Sequence, residues 1–564
     1  MRPADFANLA QALDYAAQGE TGCGFYNRRG KRDAVLLYSE LQQQARSLAM
    51  QLAALQQPRG SRVAIIAETG PDFLITFFAC QYAGLIPVPL PVPTSIGSHK
   101  SFAGLLGRLI RESDTSIIVT PEGYLALVRE ASEGLSLAYV GTGESLQDRN
   151  PGVVSKLQPL ESHELAYLQY TSGSTRSPRG VMISQQAVLD NVAAIITHGV
   201  IMRPGDRCVS WLPFYHDMGL VGLILVPVCS QVSVDYLGTS DFAMRPRQWL
   251  SLMSSSRATI SFSPPFGYEL VARRLRSNEI EQYDLSAWRV AGVGAEMIHA
   301  DTLHKFSKTL LPAKFNPRAF VPTYGMAECS LAISFVALQQ QLAVDYVDAD
   351  RVAGEGKAWP CAKDNASCRV RGFVNCGRLL PGFKMQIRDD QGHLLGDREI
   401  GNIFLRGPSI MSGYYGLPGL TRATLSAEGW LDTGDKGYQV ADQLFLTGRS
   451  KDVIIINGKN IWPQDIEYLM EKEPEVRSGD SVAFVIPDEQ GKDLTVVLVQ
   501  CRLSESEPRK ALVSRLNNKV LREIGLECQI ELIPLHTLPR TTSGKLSRAK
   551  SRENYLRQSP ASID

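Results

Sequence analysis

The pattern of apolar and polar positions predicts alternating strands and helices over the first part of the chain. Apolar runs with the length of buried strands occur at 62–67, 85–90, 116–119 and 137–140. Apolar residues at helical spacing predict a helix from Leu41 to Leu55, opened by a capping box at Ser39 and Gln42. This alternation predicts an α/β fold whose parallel sheet is covered by helices on both faces.

The remaining pattern divides the chain into regions of different character. Strand and helix signals continue to about residue 335, whereas 337–374 is polar and aperiodic. Glycines and short strand signals from residue 375 predict a β-rich region, and residues after 451 read as a small α+β unit. We therefore expect an N-terminal domain over 1–450, with an insertion within about 336–374, and a C-terminal domain over 451–564.

Composition and charge exclude some partners. The 564 residues include 59 Lys plus Arg against 58 Asp plus Glu, a net charge of +1. A net charge this small produces no overall electrostatic attraction for nucleic acid or an anionic membrane. We therefore expect neither nucleic-acid binding nor stable membrane insertion. The first residues carry Asp5 and Asp14 and lack a leader pattern, so we expect a cytoplasmic location.

The ten cysteines are scattered and form no Cys-x-x-Cys pair. The tightest group, Cys361, Cys368 and Cys376, has neither the spacing of a zinc site nor a nearby histidine. We expect free thiols in a reducing compartment.

A loop rich in hydroxyl side chains connects two apolar runs, 165–170 and 181–184. The loop, 171–180, carries arginines and glycines but no bulky apolar residue. Exposed amides, hydroxyls and positive charge suit a phosphate cradle, although the Walker spacing is absent. A polar hairpin turn explains the same composition, so the loop alone leaves both interpretations open.

Four further loops place charged or aromatic residues outside any predicted core. They are 322–328, with a tyrosine and a glutamate; 431–435, with two aspartates; 446–452, at the domain boundary; and 538–545, with a lysine at a Gly/Ser/Thr turn. Each alone is explained by a turn or a solvated side chain. Their joint order is much harder to explain in that way.

With these motifs the chain resembles the adenylate-forming superfamily of acyl-CoA synthetases, luciferases and adenylation domains, over nearly its whole length. The resemblance implies a large N-terminal domain of two α/β subdomains plus a β-rich subdomain. It also implies a small, mobile α+β C-terminal domain that acts as a lid.

Within that superfamily the chain is most similar to the fatty acyl-AMP ligases. Arg176 stands where most relatives have glycine, 210–220 is similar to the ligase signature, and the stretch between Glu328 and Cys376 is longer than in a typical acyl-CoA synthetase. In that family the insertion restrains the lid and disfavours CoA as acceptor.

The resemblance implies that a fatty carboxylate attacks the α-phosphorus of ATP and releases pyrophosphate, with Mg²⁺ held by Glu328. Lys545 would bridge the carboxylate and the α-phosphate, and Lys451 would be the hinge. The expected ATP and AMP contacts are Thr171, Ser172, Ser174, Thr175, Arg176, Arg179, Gly294, Ala295, Glu296, Thr323, Tyr324, Gly325, Met326, Asp435 and Arg449. The contact of Arg179 stays open, because many relatives have lysine there.

Two expectations concern the acyl group. His216 would gate or orient the carboxylate; the alternative is a helix-cap or core histidine. The apolar tunnel would include Met218, Gly219, Phe262 and Pro264, although residues at such spacing are more often core.

Three functions compete. The first is a ligase that passes a medium- or long-chain acyl group to the phosphopantetheine thiol of an acyl carrier protein on a separate chain. The second is an acyl-CoA ligase that uses free CoA. The third is a degenerate homologue that only binds acyl adenylates or carrier proteins, against which the joint presence of Glu328, Asp435 and Lys545 argues.

Overall fold

The computed structural model describes residues 4–93, 99–149, 156–171, 178–456, 459–488, 492–541 and 545–558. The predicted α/β class is confirmed. The α-helices of the N-terminal 450 residues span Leu9–Ala16, Tyr38–Ala54, Pro71–Ala83, His99–Glu112, Leu125–Ala131, Gly143–Gln147, Gln185–Ala194, Asp217–Leu220, Val226–Ser230, Thr239–Met244, Arg247–Ser255, Pro265–Arg274, Ala300–Leu310, Ala349–Glu355 and Pro418–Thr424.

The first sheet consists of parallel strands covered on both faces, as predicted. Val63 and Ile65 pack on the side of the helices Tyr38–Ala54 and Pro71–Ala83, whereas Ala64 and Ile66 pack into a second apolar cluster on the opposite face. Burial on both faces explains why these strands are continuous apolar runs. The strand order is Ile86–Leu90, Arg62–Ile66, Thr115–Val119 and Tyr139–Gly141.

The predicted capping box at Ser39 and Gln42 is wrong. The helix begins at Tyr38, one position before Ser39, and the carboxylate of Glu40 accepts a hydrogen bond of 2.9 Å from the backbone N–H of Leu37. The acidic residue in the first turn therefore caps the helix in place of the serine.

The second sheet has a parallel centre and antiparallel edges. The carboxyl ends of its parallel strands meet at one edge. The order is Arg378–Leu379, Ala332–Phe335, Phe320–Gly325, Val290–Val293, Ile260–Ser263, Arg207–Ser210, Ser233–Leu237, Gly22–Tyr26 and Arg32–Leu37.

The β-rich region is antiparallel, as its glycines and short apolar runs predict. One sheet has the strands Lys384–Arg388, Gly401–Arg406, Leu431–Val440 and Gln443–Arg449. A second joins the strands that flank the hydroxyl-rich loop to a two-residue strand, in the order Gly413–Tyr414, Gly180–Ser184 and Leu165–Tyr170.

The C-terminal residues form an α+β unit with its own apolar cluster. Ile466, Leu512 and Leu516 are fully buried in that cluster, separate from the large core of the preceding residues. This separate core supports our proposed division between residues 450 and 451. The elements are the strands Ile454–Ile456, Lys459–Ile461, Ser481–Pro487, Asp493–Gln500 and Gln529–Ile533, and the helices Pro463–Glu471, Ser506–Ile524 and Arg548–Gln558.

The stretch 337–374, predicted to be aperiodic, contains regular structure. The strands Val344–Asp348 and Val370–Val374 pair antiparallel, and the helix Ala349–Glu355 follows the first strand. The carboxylate of Asp348 caps this helix through the N–H of Asp350 at 2.9 Å. The first strand has one buried residue among five, which explains why it carries no alternating apolar signal.

The expectation that all cysteines are free thiols is wrong for one pair. A disulfide joins Cys361 to Cys368, seven residues apart on the connection between the two inserted strands. The connection turns back on itself and brings the two sulfurs together, a contact that spacing alone does not reveal. The other eight cysteines are unpaired.

Within the described ranges, no helix combines the length and apolar character needed to cross a membrane.

Candidate active site

The ammonium of Lys545 reaches from the C-terminal unit into the large N-terminal region. Its Nζ donates a hydrogen bond of 2.8 Å to the carbonyl oxygen of Ala295. Ala295 follows the strand Val290–Val293 and has a left-handed φ of 68°, which non-glycine residues rarely adopt. The predicted catalytic lysine and the predicted adenine-binding segment are therefore in contact.

Three acidic side chains act on the charge of this lysine. Burial lowers the pKa of Lys545, and the carboxylates of Glu296, Asp217 and Asp435 oppose that shift. Burial in turn raises the pKa of Glu296, against the charge of Lys545. A cation held among carboxylates is ready to neutralise the developing charge of a bound phosphate.

His216 lies at the start of the short helix Asp217–Leu220 and contacts its neighbour. The Nδ1 of His216 is 2.6 Å from Oδ1 of Asp217. The backbone N–H of Met218 is 2.7 Å from the same carboxylate oxygen and 3.3 Å from Nδ1, so the carboxylate is its better acceptor. Both His216 and Lys545 hold the pKa of Asp217 below its usual range, although burial alone raises it.

Asp435 stands between an aromatic hydroxyl and an arginine. The hydroxyl of Tyr324 donates to Oδ2 of Asp435 at 2.7 Å, and Nε of Arg449 is 3.4 Å from Oδ1. Asp435 and Arg449 are direct cross-strand partners, so the antiparallel hairpin fixes their approach. Burial raises the pKa of Asp435 against the charge of Arg449.

Glu328 is a buried carboxylate held by one tyrosine. The hydroxyl of Tyr414 donates to Oε1 at 2.8 Å, and burial raises the pKa of Glu328. Among the described residues, no group of three His, Cys, Asp or Glu could hold a metal ion. A single hard oxygen ligand fits a Mg²⁺ that takes its remaining ligands from nucleotide phosphates and water.

The strands around the hydroxyl-rich loop form an antiparallel hairpin. The N–H of Thr171 donates to the carbonyl of Arg179 at 3.0 Å and closes the base of the loop. The guanidinium carbon of Arg179 is 5.5 Å from the ring centre of Tyr414. The predicted phosphate contacts Ser172, Ser174, Thr175 and Arg176 lie outside the described residues.

The predicted nucleotide-binding segments lie on neighbouring strands. The strands Val290–Val293 and Phe320–Gly325 run parallel, and a Cβ on Gly294 would lie 2.8 Å from the carbonyl of Thr323. Thr323 uses its hydroxyl within the sheet, donating to the carbonyl of Ser334 at 2.7 Å. Gly325 ends the second strand, and the N–H of Met326 after it donates to the carbonyl of Leu331 at 2.8 Å.

The four predicted acyl contacts, Met218, Gly219, Phe262 and Pro264, are all buried. Phe262 packs edge-on against Phe335, with ring centres 6.4 Å apart. None of the four lines a cleft of about 1280 Å³ on the described part of the chain.

That cleft lies between the insertion, the lid and the segment 297–301. On its wall, Arg371 of the insertion forms an ion pair of 2.9 Å with Asp465 of the lid. The guanidinium also lies 4.4 Å from the ring centre of Trp462 and 4.3 Å from that of Phe373. We call Arg371, Phe373, Trp462 and Asp465 the insertion–lid contact.

A second contact joins lid and N-terminal region. The rings of His299 and Tyr468 stack 3.8 Å apart at an interplanar angle of 1°, and the hydroxyl of Tyr468 donates to Asp301 at 3.0 Å. Lys451, the predicted hinge, is exposed in the short turn Ser450–Asp452 between the two units.

Sequence reasoning missed several residues of this site. Asp217 favoured a function for His216 as its neighbour in the sequence, but it was not itself predicted as a site residue. Tyr414 and Arg371 carried no signal, because their partners lie 86 and 94 residues away in the sequence.

Comparison with known proteins identifies the family. The model of the AMP-binding enzyme family matches residues 24–415. The chain belongs to this family. It is an acyl-adenylate-forming ligase and, as such, uses ATP.

Individual relatives agree with this assignment. The chain is 42% identical to a Caulobacter vibrioides protein named "Putative acyl-CoA synthetase", over 99% of this chain and 96% of that protein. It is 30% identical to the medium-chain-fatty-acid–[acyl-carrier-protein] ligase JamA of Moorena producens, over the same shares of the two chains. A solved structure from work on the fatty acyl-adenylate ligases of E. coli and L. pneumophila has a TM-score of 0.94 and 46% identity, over 100% of both chains. The predicted resemblance to fatty acyl-AMP ligases is thereby confirmed.

Proposed function

We propose that the protein activates a medium- or long-chain fatty acid and transfers it to an acyl carrier protein. A carboxylate oxygen attacks the α-phosphorus of ATP, the bond from that phosphorus to the bridging oxygen breaks, and pyrophosphate leaves. The phosphopantetheine thiol of a carrier on a separate chain then attacks the acyl carbonyl. AMP leaves with the bonding electrons, and the thiol proton passes to solvent.

The observation that carries the proposal is the hydrogen bond from Lys545 to Ala295 at 2.8 Å. Support also comes from the carboxylates of Asp217 and Asp435, whose charges act on the same ammonium. When substrates bind, the ammonium moves from the carbonyl to the fatty carboxylate and the α-phosphate. In-line attack needs such charge neutralisation and positioning rather than a covalent protein nucleophile.

The nucleotide is held from two sides. Tyr324 and the 294–296 segment enclose adenine, and Asp435 accepts from the ribose hydroxyls with Arg449 beside it. Thr171, Ser172, Ser174 and Thr175, with Arg176 and Arg179, bind the β- and γ-phosphates.

Glu328 is the protein ligand that we assign to Mg²⁺. When bound, the ion would neutralise phosphate charge during the displacement. The buried carboxylate, hydrogen-bonded at one oxygen by Tyr414, has the hard oxygen chemistry that this ion prefers.

An apolar acyl chain is supported by the names of the relatives and by the burial of Met218, Gly219, Phe262 and Pro264. Each methylene that enters the tunnel gains about 0.8 kcal/mol. His216, fixed by Asp217, orients the carboxylate end.

The choice of acceptor rests on the insertion–lid contact. The ion pair between Arg371 and Asp465, enclosed by Trp462 and Phe373, ties the inserted strand Val370–Val374 to the lid. Burial lowers the pKa of Arg371 and raises the pKa of Asp465, so the packed rings of Phe373 and Trp462 hold this contact together with the ion pair. Lid rotation about Lys451, which free CoA would require, therefore has to break this contact, whereas a docked carrier can offset the loss through its own interface.

Free CoA is the second candidate acceptor, because a 42% identical relative is named as an acyl-CoA synthetase. Incubation of the enzyme with ATP, Mg²⁺ and a fatty-acid series, with CoA or a phosphopantetheinylated carrier added, separates the two. Mass spectrometry should find acyl adenylate in all samples and acyl carrier as the main transfer product. Accumulation of acyl-CoA at a comparable rate would favour the second candidate.

A further inference from the structure

Tyr414 is buried and held in place by its own backbone. It ends the strand Gly413–Tyr414, whose residues pair with Met182 and Val181, and its N–H donates to the hydroxyl of Thr421 at 3.0 Å. Gly413 has a φ of +142°, and a Cβ there would lie 2.7 Å from a Thr421 side-chain carbon. The backbone position of Tyr414 is therefore fixed by main-chain contacts and does not depend on its side chain.

Its hydroxyl meets the carboxylate of Glu328. The hydrogen bond is 2.8 Å long and joins two segments 86 residues apart. Two further bonds clamp the same segments together, from the N–H of Met411 to the carbonyl of Glu328 at 2.8 Å and from the hydroxyl of Ser330 to the carbonyl of Ser409 at 3.0 Å. With both backbones held, the hydroxyl restricts the rotation of the carboxylate.

Its ring meets Arg179 at the base of the hydroxyl-rich loop. The guanidinium carbon lies 5.5 Å from the ring centre, within the range of a cation–π contact. The carbonyl of the same arginine closes the loop through Thr171. One side chain therefore contacts both the base of the proposed phosphate cradle and the proposed magnesium ligand.

We propose that Tyr414 is a positioning residue for ATP with its Mg²⁺, acting through Glu328 by its hydroxyl and through Arg179 by its ring. This inference rests on the proposed function of Glu328 and the loop. It gives Arg179 a place in the site, since the arginine lies against the ring of Tyr414.

Tyr414→Phe tests the hydroxyl, because it removes the bond to Glu328 and keeps the ring. Loss of a hydrogen bond to a charged group should weaken binding of ATP with Mg²⁺ about tenfold, measured by calorimetry without fatty acid. The Mg²⁺ concentration for half-maximal pyrophosphate exchange should rise by a similar factor, whereas KM for the fatty acid should not change. Tyr415→Phe, at the adjacent position, is the matched control and should leave each of these constants unchanged.

A double variant and a ring deletion complete the test. The binding losses of Tyr414→Phe and Glu328→Gln should not add in the double variant, because both remove one interaction. Tyr414→Leu should weaken binding several-fold more than Tyr414→Phe, because it also removes the ring from Arg179. Equal losses in the Leu and Phe variants would overturn the ring contact.

Unchanged nucleotide binding in Tyr414→Phe, or an equal loss in Tyr415→Phe, would overturn the role of the hydroxyl. A failure of the proposed function would give a different experimental result from a failure of the role of Tyr414. A wild-type enzyme that forms no acyl adenylate with any fatty acid would refute the proposed substrate, whereas the calorimetric comparison of the variants would still decide the role of Tyr414.

Discussion

The Nζ of Lys545 and the carbonyl oxygen of Ala295, 250 residues apart in the sequence, are joined by a hydrogen bond of 2.8 Å. This bond requires the lid to be closed over the N-terminal region. The carboxylates of Glu296, Asp217 and Asp435 all act on the charge of the same ammonium, and we propose that the closed arrangement is the one that performs adenylation.

Replacement of this lysine should separate the two half-reactions. Lys545→Ala should lower the rate of adenylate formation by about 10²–10³-fold, the usual cost of removing a preorganised group that stabilises an oxyanion. Transfer from added acyl adenylate should change much less, because the lysine acts on the α-phosphate. Single-turnover assays measure both steps, and Lys550→Ala, an exposed lysine on the next helix, is the control. Equal losses in both half-reactions would contradict this role.

Removal of the Tyr324 hydroxyl should affect ATP specifically. Tyr324→Phe deprives Asp435 of a 2.7 Å hydrogen bond and should raise KM for ATP about tenfold. Tyr82→Phe is the matched control, because it removes a 2.6 Å bond from a buried tyrosine to Asp14, away from the site. The two variants should lose similar thermal stability, and only the first should change KM for ATP. A similar rise in both would show that the effect is structural.

Loss of the insertion–lid contact should increase the use of CoA. Arg371→Met keeps a long side chain between Trp462 and Phe373 but removes the ion pair with Asp465. We expect acyl-CoA formation to rise several-fold with unchanged adenylation. Arg247→Met, which removes an ion pair of 2.5 Å with Glu279 outside both the insertion and the lid, should have no such effect.

Deletion of about 338–357 should act in the same direction. It removes the strand Val344–Asp348, which supports the strand of Arg371. If neither the deletion nor Arg371→Met increases CoA ligation, the insertion does not select the acceptor.

The stacking of His299 on Tyr468 should make lid closure depend on pH. Burial lowers the pKa of His299 to about 4 from 6.5, as do the nearby Arg371 and Lys472, whereas Asp301 opposes the shift. In the open lid this pKa returns toward 6.5, so the closed lid binds fewer protons. The contribution of His299 to closure is therefore complete above pH 6.5 and is lost as the pH falls toward 4.

His299→Phe isolates that contribution, because phenylalanine stacks but does not titrate. The ratio of wild-type to variant adenylation rate, measured in single turnovers, should decrease as the pH falls below 6.5. A ratio that does not depend on pH would show that His299 does not control closure.

The sequence predicted the elements whose signal is local. The strands Arg62–Ile66 and Thr115–Val119 are continuous apolar runs, and a parallel sheet is the environment that buries both of their faces. The motif loops could be recognised because charged and aromatic residues in glycine-rich turns do not belong to a hydrophobic core. The order of these loops along the chain was the basis for the predicted family resemblance.

What the sequence could not predict depends on contacts between distant segments. Tyr414 reads as one aromatic residue beside a glycine until the fold places its hydroxyl on Glu328. The strand Val344–Asp348 pairs with a strand beyond the disulfide-linked connection and has little apolar pattern of its own. The role of Glu40 as cap depended on where the helix begins, a position that propensity fixes only within a few residues.

The most direct test of the account is the fate of the acyl adenylate in a single turnover. Enzyme loaded with a fatty acid, ATP and Mg²⁺ is mixed with equal concentrations of CoA and a phosphopantetheinylated carrier protein, and the products are followed by rapid quench and mass spectrometry. We predict that the acyl group appears on the carrier faster than on CoA, since transfer to CoA has to break the insertion–lid contact without the interface of a docked carrier. Transfer to CoA at the same rate or faster would contradict the account.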